Sequence, residues 1–281
     1  MLVPLAGGGQ ETLLSEVGFV LLPLFSTRDA CALRLVCREF LAAVREHPWE
    51  DRRTVIKGSI AAWRACFPHA RCANVQQIEW PRGLNKCAVP LVDADFVHFE
   101  GLRELYMAGC EDVTDAAFVH LRGIHTLDMS FCSQEAITLA AFAHLAGIQR
   151  LSVMGCSQAT ITDAAFAHLR GIHKLNMSEC TQLTDAAFAH LRGISTLFMW
   201  GCDQPAITDA AFAHLSGIHT LVMESCSQAT ITGATLSFLS GASLLCMRQC
   251  RAAVIAAAWG VGLPVRTMGG EFGHLTYVIR N

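Results

Sequence analysis

The chain is 281 residues long, 52% hydrophobic and only 16% charged, against a usual charged share of about a quarter. Its net charge of −3 offers no basic field for nucleic acid, and its first apolar run, Leu13 to Phe25, contains Glu16, is too short to span a bilayer and has no Lys or Arg before it as a secretory signal would. Composition therefore points to one or two soluble domains, cytoplasmic or nuclear, with no nucleic-acid or membrane partner.

Residues 1–12 lack any period and read as a flexible leader. From 13 to 52 the pattern is helical, and its clearest part runs from Asp29 to Val44: Leu33, Val36, Cys37, Phe40, Leu41 and Val44 recur at three and four, with Ser26 or Thr27 placed as the cap. By pattern alone this is a helical cover for whatever follows. The residues carry more. Leu21-Leu22-Pro23-Leu24-Phe25-Ser26-Thr27-Arg28-Asp29, then Leu33-Arg34-Leu35-Val36-Cys37-Arg38-Glu39-Phe40, then Trp49 closely resemble the F-box. The match departs where Leu14-Ser15 replaces the usual Leu-Pro opening and where Pro23 interrupts the first helix. The resemblance implies a small all-helical module that binds the Skp-type adaptor of a cullin–RING ubiquitin ligase. Leu22, Leu24, Leu35, Val36, Cys37 and Arg38 fall in the family motif. Spacing does not separate those that face an adaptor from those that fold the module.

Residues 53–80 join this module to the rest, as a helix over Gly58 to Phe67 stopped by Pro68 and a first strand over Val75 to Trp80. Cys66, His69 and Cys72, with Cys87 as a fourth, are metal-ligand types, but their spacing matches no zinc module and no metal is expected.

Residues 81–250 are repeats. Cys110, Cys132, Cys156, Cys180, Cys202, Cys226 and Cys250 are spaced by 22, 24, 24, 22, 24 and 24, and Gly101, Gly123, Gly147, Gly171, Gly193, Gly217 and Gly241 keep the same intervals. Asp93 to Phe99 is a divergent earlier copy. In the copy at 161–180, Thr162 is placed to cap a short helix, Asp163 sets a negative charge at its N-terminal end, and Gly171 supplies a left-handed exit. Phe166 and Leu169 share a helix face, Leu175 and Met177 a strand face, and only stacking buries both. With Ile172, Leu175, Met177 and Cys180 as its signature, the copy is similar to the cysteine-type leucine-rich repeat. The expected fold is α/β: a solenoid with short parallel strands on the concave side and short helices on the convex side, behind a helical F-box. Residues 251–281 read as its C-terminal cap. Seven of the thirteen cysteines sit at one repeat position, which predicts a ladder of buried free thiols in a reducing compartment.

Chemistry is sparse. His120, His144, His168, His190 and His214 align on the helical side, away from the cysteines at the strand ends, so no Cys–His pair is expected to meet. No phosphate-binding glycine loop, paired-carboxylate site or nucleophile elbow stands out, and the chain reads as a non-catalytic protein without a cofactor. Variation concentrates on the strand positions that alternate with the buried Leu and Met. Four before each cysteine stand Tyr106, Asp128, Ser152, Asn176, Phe198, Val222 and Cys246; two before stand Ala108, Ser130, Met154, Ser178, Trp200, Glu224 and Arg248. These alternate outward onto the concave face, so Tyr106, Asp128, Met154, Asn176, Phe198, Trp200, Val222, Glu224 and Arg248 are the expected contacts to a target protein. Phe198 and Trp200 are its aromatic anchors. Beside them, Arg150 and Lys174 read as a basic rim or as plain solvated charges. The function implied is the substrate receptor of an SCF-type ubiquitin ligase. The alternative is an interaction scaffold that recruits no ligase, or an adaptor-binding decoy.

Overall fold

The computed structural model describes residues 21–79 and 84–267. The leader, the opening of the F-box match at 13–20, Trp80 and the end of the cap at 268–281 lie outside the described residues.

The N-terminal unit begins with a short turn, Leu22–Leu24, built on Pro23. Helix α1 (Thr27–Leu33) starts on a capping box: the Ser26 hydroxyl accepts the Asp29 N–H at 3.2 Å and the Asp29 carboxylate accepts the Ser26 N–H at 3.1 Å. Periodicity predicts one helix from Asp29 to Val44, but the structure breaks it. The chain turns at Arg34 to Val36, and α2 (Arg38–Glu46) restarts from an extended Cys37 whose sulfur accepts the Phe40 N–H. Leu22, Ala30, Val44 and Trp49 form the core with Phe67 and Ala70 from around α3 (Ile60–Cys66). Trp49 packs edge-on against Phe67 and donates its indole N–H to the Val44 carbonyl.

The repeats stack as a leucine-rich-repeat solenoid. Its parallel sheet runs β1 (Cys72–Asn74), β4 (Glu104–Tyr106), β5 (Thr126–Asp128), β6 (Arg150–Ser152), β7 (Lys174–Asn176), β8 (Thr196–Phe198), β9 (Thr220–Val222), β10 (Leu244–Cys246) and β11 (Val265–Arg266), paired in sequence order. An antiparallel hairpin, β2 (Gln76–Glu79) with β3 (Leu84–Cys87), is inserted after β1. Leu105, Leu127, Leu151, Leu175, Leu197, Leu221 and Leu245 are fully buried and stand in one register line. Opposite them Phe118, Phe142, Phe166, Phe188 and Phe212 are fully buried, with Phe142 and Phe166 stacked at 6.5 Å.

On the convex side most elements are 3-10 turns, as at Asp115–Leu121 and Asp163–Leu169, rather than α-helices; α4 (Leu139–Ala143) and α5 (Asp185–Phe188) are single α turns. The reason is width. An α-helix with its side chains is about 10 Å across while strand rows repeat every 4.8 Å or so, and the slimmer turn, lined by Ala, keeps the convex side closer to the pace of the sheet. Helix α6 (Ala252–Gly260) then lies across the end of the core, burying Val254 and Ala258.

Three side-chain ladders tie successive rows. The cysteine ladder has its thiols inside: those of Cys132, Cys156, Cys180, Cys202, Cys226 and Cys250 donate to the carbonyls of Met107, Met129, Val153, Met177, Met199 and Met223 one row back. All thirteen cysteines are free, and burial pushes the Cys132 and Cys202 thiols up to about 12. The second ladder uses Gln134, Gln158, Gln182, Gln204 and Gln228, whose amides donate to carbonyls of the preceding row. The third gives Asp163, which stands in the first turn as expected, a second role. Its carboxylate accepts the Thr184 N–H at 2.9 Å and hydroxyl at 2.7 Å, clamping one row to the next. Asp93, Asp115, Asp185 and Asp209 clamp Thr114, Thr138, Thr208 and Thr232 in the same way. One rung is missing: Leu139 stands where the aspartate belongs, and Thr162 makes no capping bond.

Candidate functional site: two exposed faces

On the helical unit, burial divides the six positions that carry the F-box resemblance. Leu22 is 3% exposed and belongs to the core, which corrects its expected place among adaptor contacts; Pro23 turns it inward against Ala30 and Trp49. Leu24, Leu35 and Val36 are 78, 81 and 67% exposed. Arg38 is exposed and Cys37 half-buried. The break between α1 and α2 produces this exposure, because a continuous helix would have turned Val36 onto the buried stripe.

The unit is held firmly to the repeats. Within the unit the Asp51 carboxylate accepts the N–H and hydroxyl of Thr27 at 2.7 and 3.0 Å, and across to the repeats the Trp49 carbonyl accepts the Arg71 N–H at the threshold of β1. Arg52 grips Glu104 of β4 through two guanidinium nitrogens. Among the described residues no three of His, Cys, Asp or Glu converge to hold a metal ion. Cys72 lies buried beside Arg52 and Glu104, and the Cys66 sulfur is engaged by Arg34.

On the concave face the structure corrects four of the nine expected target contacts. Tyr106, Asp128, Asn176 and Val222 point to the sheet's outer side but are 2, 3, 2 and 5% exposed. Each is covered by its neighbours. Tyr106 donates its hydroxyl to Glu104, which Arg52 also holds. Asp128 and Asn176 turn back to accept the N–H of Ser130 and Ser178, both at 3.1 Å. Val222 is short and lies between Phe198 and Cys246 in adjacent rows. Ser130 and Ser152 seal the Asp128 side, their hydroxyls 2.7 Å apart. Burial holds the Asp128 carboxyl above its usual range, against the lowering effect of the Ser130 bonds.

The remaining five are reachable: Met154, Phe198, Trp200 and Glu224 are half-buried and Arg248 is exposed. Arg150 and Lys174 stand on the same face, directly paired in β6 and β7, with the Lys174 ammonium 5.5 Å over the Phe198 ring. At the strand exits every row takes a left-handed residue just before its cysteine. Gly109, Gly155 and Gly201 alternate there with Phe131, Glu179 and Ser225, and Gln249 takes the place in the last row. A Cβ on Gly155 would fall 2.5 Å from the Phe131 ring, so the alternation lets a large residue of one row cover a glycine of the next.

The convex histidines lie away from the buried thiols. His120 is 2.7 Å from the Glu100 carboxylate and His144 accepts from Arg122. No helix among the described residues is long and apolar enough to cross a membrane.

No protein-family model matches the chain, and no curated protein matches it. Solved structures do. The chain is similar to one in the crystal structure of the TLR13–ssRNA13 complex, at 17% identity and a TM-score of 0.48, over 63% of this chain and 26% of that one. It is also similar to a chain in the crystal structure of the Rad7 and Elc1 complex in yeast, at 17% identity and a TM-score of 0.41, over 52% of this chain and 42% of that one.

Proposed function

We propose that the protein is the substrate-recognition subunit of an SCF-type ubiquitin ligase, with no bond-making step of its own. The observation that carries this reading is the exposure of Leu24, Leu35 and Val36 on a unit whose sequence resembles the F-box. Aliphatic side chains at a turn gain nothing from water, whereas each stabilises a complex by about 1.5–3 kcal/mol when fully covered. Arg38 adds a charge at the rim of that patch. In this reading a Skp-type adaptor covers the patch and links the chain to a cullin. The concave face holds a target protein, and fixing the two together raises the target's effective concentration beside a ubiquitin-charged enzyme.

The test is co-purification with the tagged full chain from cells. Adaptor and cullin should accompany the wild type, be lost from Leu35→Asp, Val36→Asp, and be retained by Phe198→Ala, Trp200→Ala. Captured target proteins should follow the opposite pattern. Folded chain that captures no adaptor refutes the proposal.

A further inference from the structure

The concave face is ruled into columns by the first, third and fifth residues of each row. The acids in these columns are accounted for locally or stand apart: Glu104 is held by Arg52, Asp128 is buried against Ser130, and Glu224 lies beyond β9. Arg150 and Lys174 are different. They are register partners in adjacent strands, so their backbones are about 4.8 Å apart. Both are half-buried, and among the described residues neither meets a carboxylate within ion-pair distance. Like charges directly opposite one another on a sheet destabilise it. Burial, and then the nearby Arg150, lower the Lys174 pKa, so the pairing is unfavourable within the fold, and the contact of the Lys174 ammonium with the Phe198 ring leaves both cations without an anion among the described residues. Phe198 lies under the Lys174 ammonium, with Trp200 and Met154 at the exits of β8 and β6.

We infer that Arg150 and Lys174 form a seat for an acidic side chain of a bound protein segment, and that a nearby bulky apolar side chain of the same segment rests on Phe198, Trp200 and Met154. The inference rests on the concave face being the target surface, and it names the chemistry of that target. From the Lys174 level to the Trp200 level is four residues of strand, or about 13 Å. An extended segment lying along the strands covers this in roughly four residues. The recognised element is therefore an acidic group with an aromatic or branched aliphatic residue about four positions away. A carboxylate and a phosphoryl group share the required charge.

The experiment selects a displayed library of random twelve-residue peptides on the folded full chain, with and without prior serine/threonine kinase treatment of the library. Enriched peptides are then measured by fluorescence anisotropy. Asp or Glu paired with an apolar residue at that spacing should be enriched, and a gain only after kinase treatment would assign the seat to a phosphoryl group. Arg150→Gln, Lys174→Gln should weaken these peptides about tenfold or more and remove their salt dependence, with no fall in melting temperature. A fall in melting temperature would assign the cations to the fold and overturn the inference. No enrichment, or enrichment without acidic residues, also overturns it. If Phe198→Ala, Trp200→Ala abolishes binding while the Gln variant does not, the anion seat fails and the concave target surface stands. If neither variant affects binding, both fail.

Discussion

The solenoid and the helical unit dispose of their apolar residues in opposite ways. In the solenoid nearly every row hides the same Leu, Met or Val, Phe and Cys, the last row putting Leu236 in place of the Phe, so Leu105 through Leu245 are fully buried, and what varies most from row to row is the outer face. In the helical unit a core of Leu22, Ala30, Val44, Trp49, Phe67 and Ala70 suffices, while Leu24, Leu35 and Val36 stay in water. The difference teaches how to read an apolar residue in this chain. Where it repeats with the period it is structural; where it stands at the turn of a small helical unit, packing does not account for it.

That contrast is open to breaking. The largest effect is expected at Phe166→Ala, in the middle of the phenylalanine stack, with a loss of about 3–5 kcal/mol. Because rows are stabilised only by their neighbours, thermal unfolding followed by circular dichroism should broaden or split into two steps. A single unshifted transition would mean that the rows do not depend on one another as described. Leu35→Ala, Val36→Ala should leave that melting curve unchanged.

The clamps give a smaller, two-sided test. Asp185→Ala removes both bonds to Thr208 and should cost about 1–2 kcal/mol. Leu139→Asp supplies the missing rung opposite Thr162 and replaces an exposed leucine, so it should add about 0.5–1.5 kcal/mol. Both are read from the midpoint of urea unfolding. If Leu139→Asp destabilises, the clamp between rows assigned to the aspartates is contradicted.

Asp128→Asn should have the smallest effect, and its sign depends on pH. Because burial raises the folded-state pKa of Asp128, the stability associated with its neutral form is complete below the unfolded pKa, near 4, and is lost as pH rises through the folded value. Asn176 already makes the same bond to the residue two places on without a charge. The variant should therefore melt a few degrees higher than wild type at pH 7, with the gap closing toward pH 4. Equal melting temperatures at both pH values would contradict the buried, charge-averse setting assigned to Asp128.

The repeat pattern made the inward face legible because Leu, Met and Phe recur with the same period that builds the rows. It was less informative about access. Alternation sets the direction in which Tyr106, Asp128, Asn176 and Val222 leave the strand, but their exposure is decided by side chains in rows about 4.8 Å to either side, which no single copy contains. The clamps were hidden for the same reason: Asp163 beside Thr162 resembles a helix start, and its partner Thr184 lies one row away. The glutamine ladder was legible in principle, since Cys-x-Gln recurs in five successive copies. The exposure of Leu35 and Val36 was not. A three-and-four spacing runs through Val36, though not through its neighbour Leu35, and only the extended backbone at Cys37 stops the helix that would have turned Val36 inward.

The most direct measurement is calorimetric titration of a purified Skp-type adaptor into the folded full chain, repeated with Leu35→Asp, Val36→Asp. Saturable one-to-one binding by the wild type, lost in a variant that melts at the same temperature, is the predicted result. Absence of binding by the folded wild type, or binding that survives both substitutions, would contradict the assignment of the helical unit as the ligase-docking face.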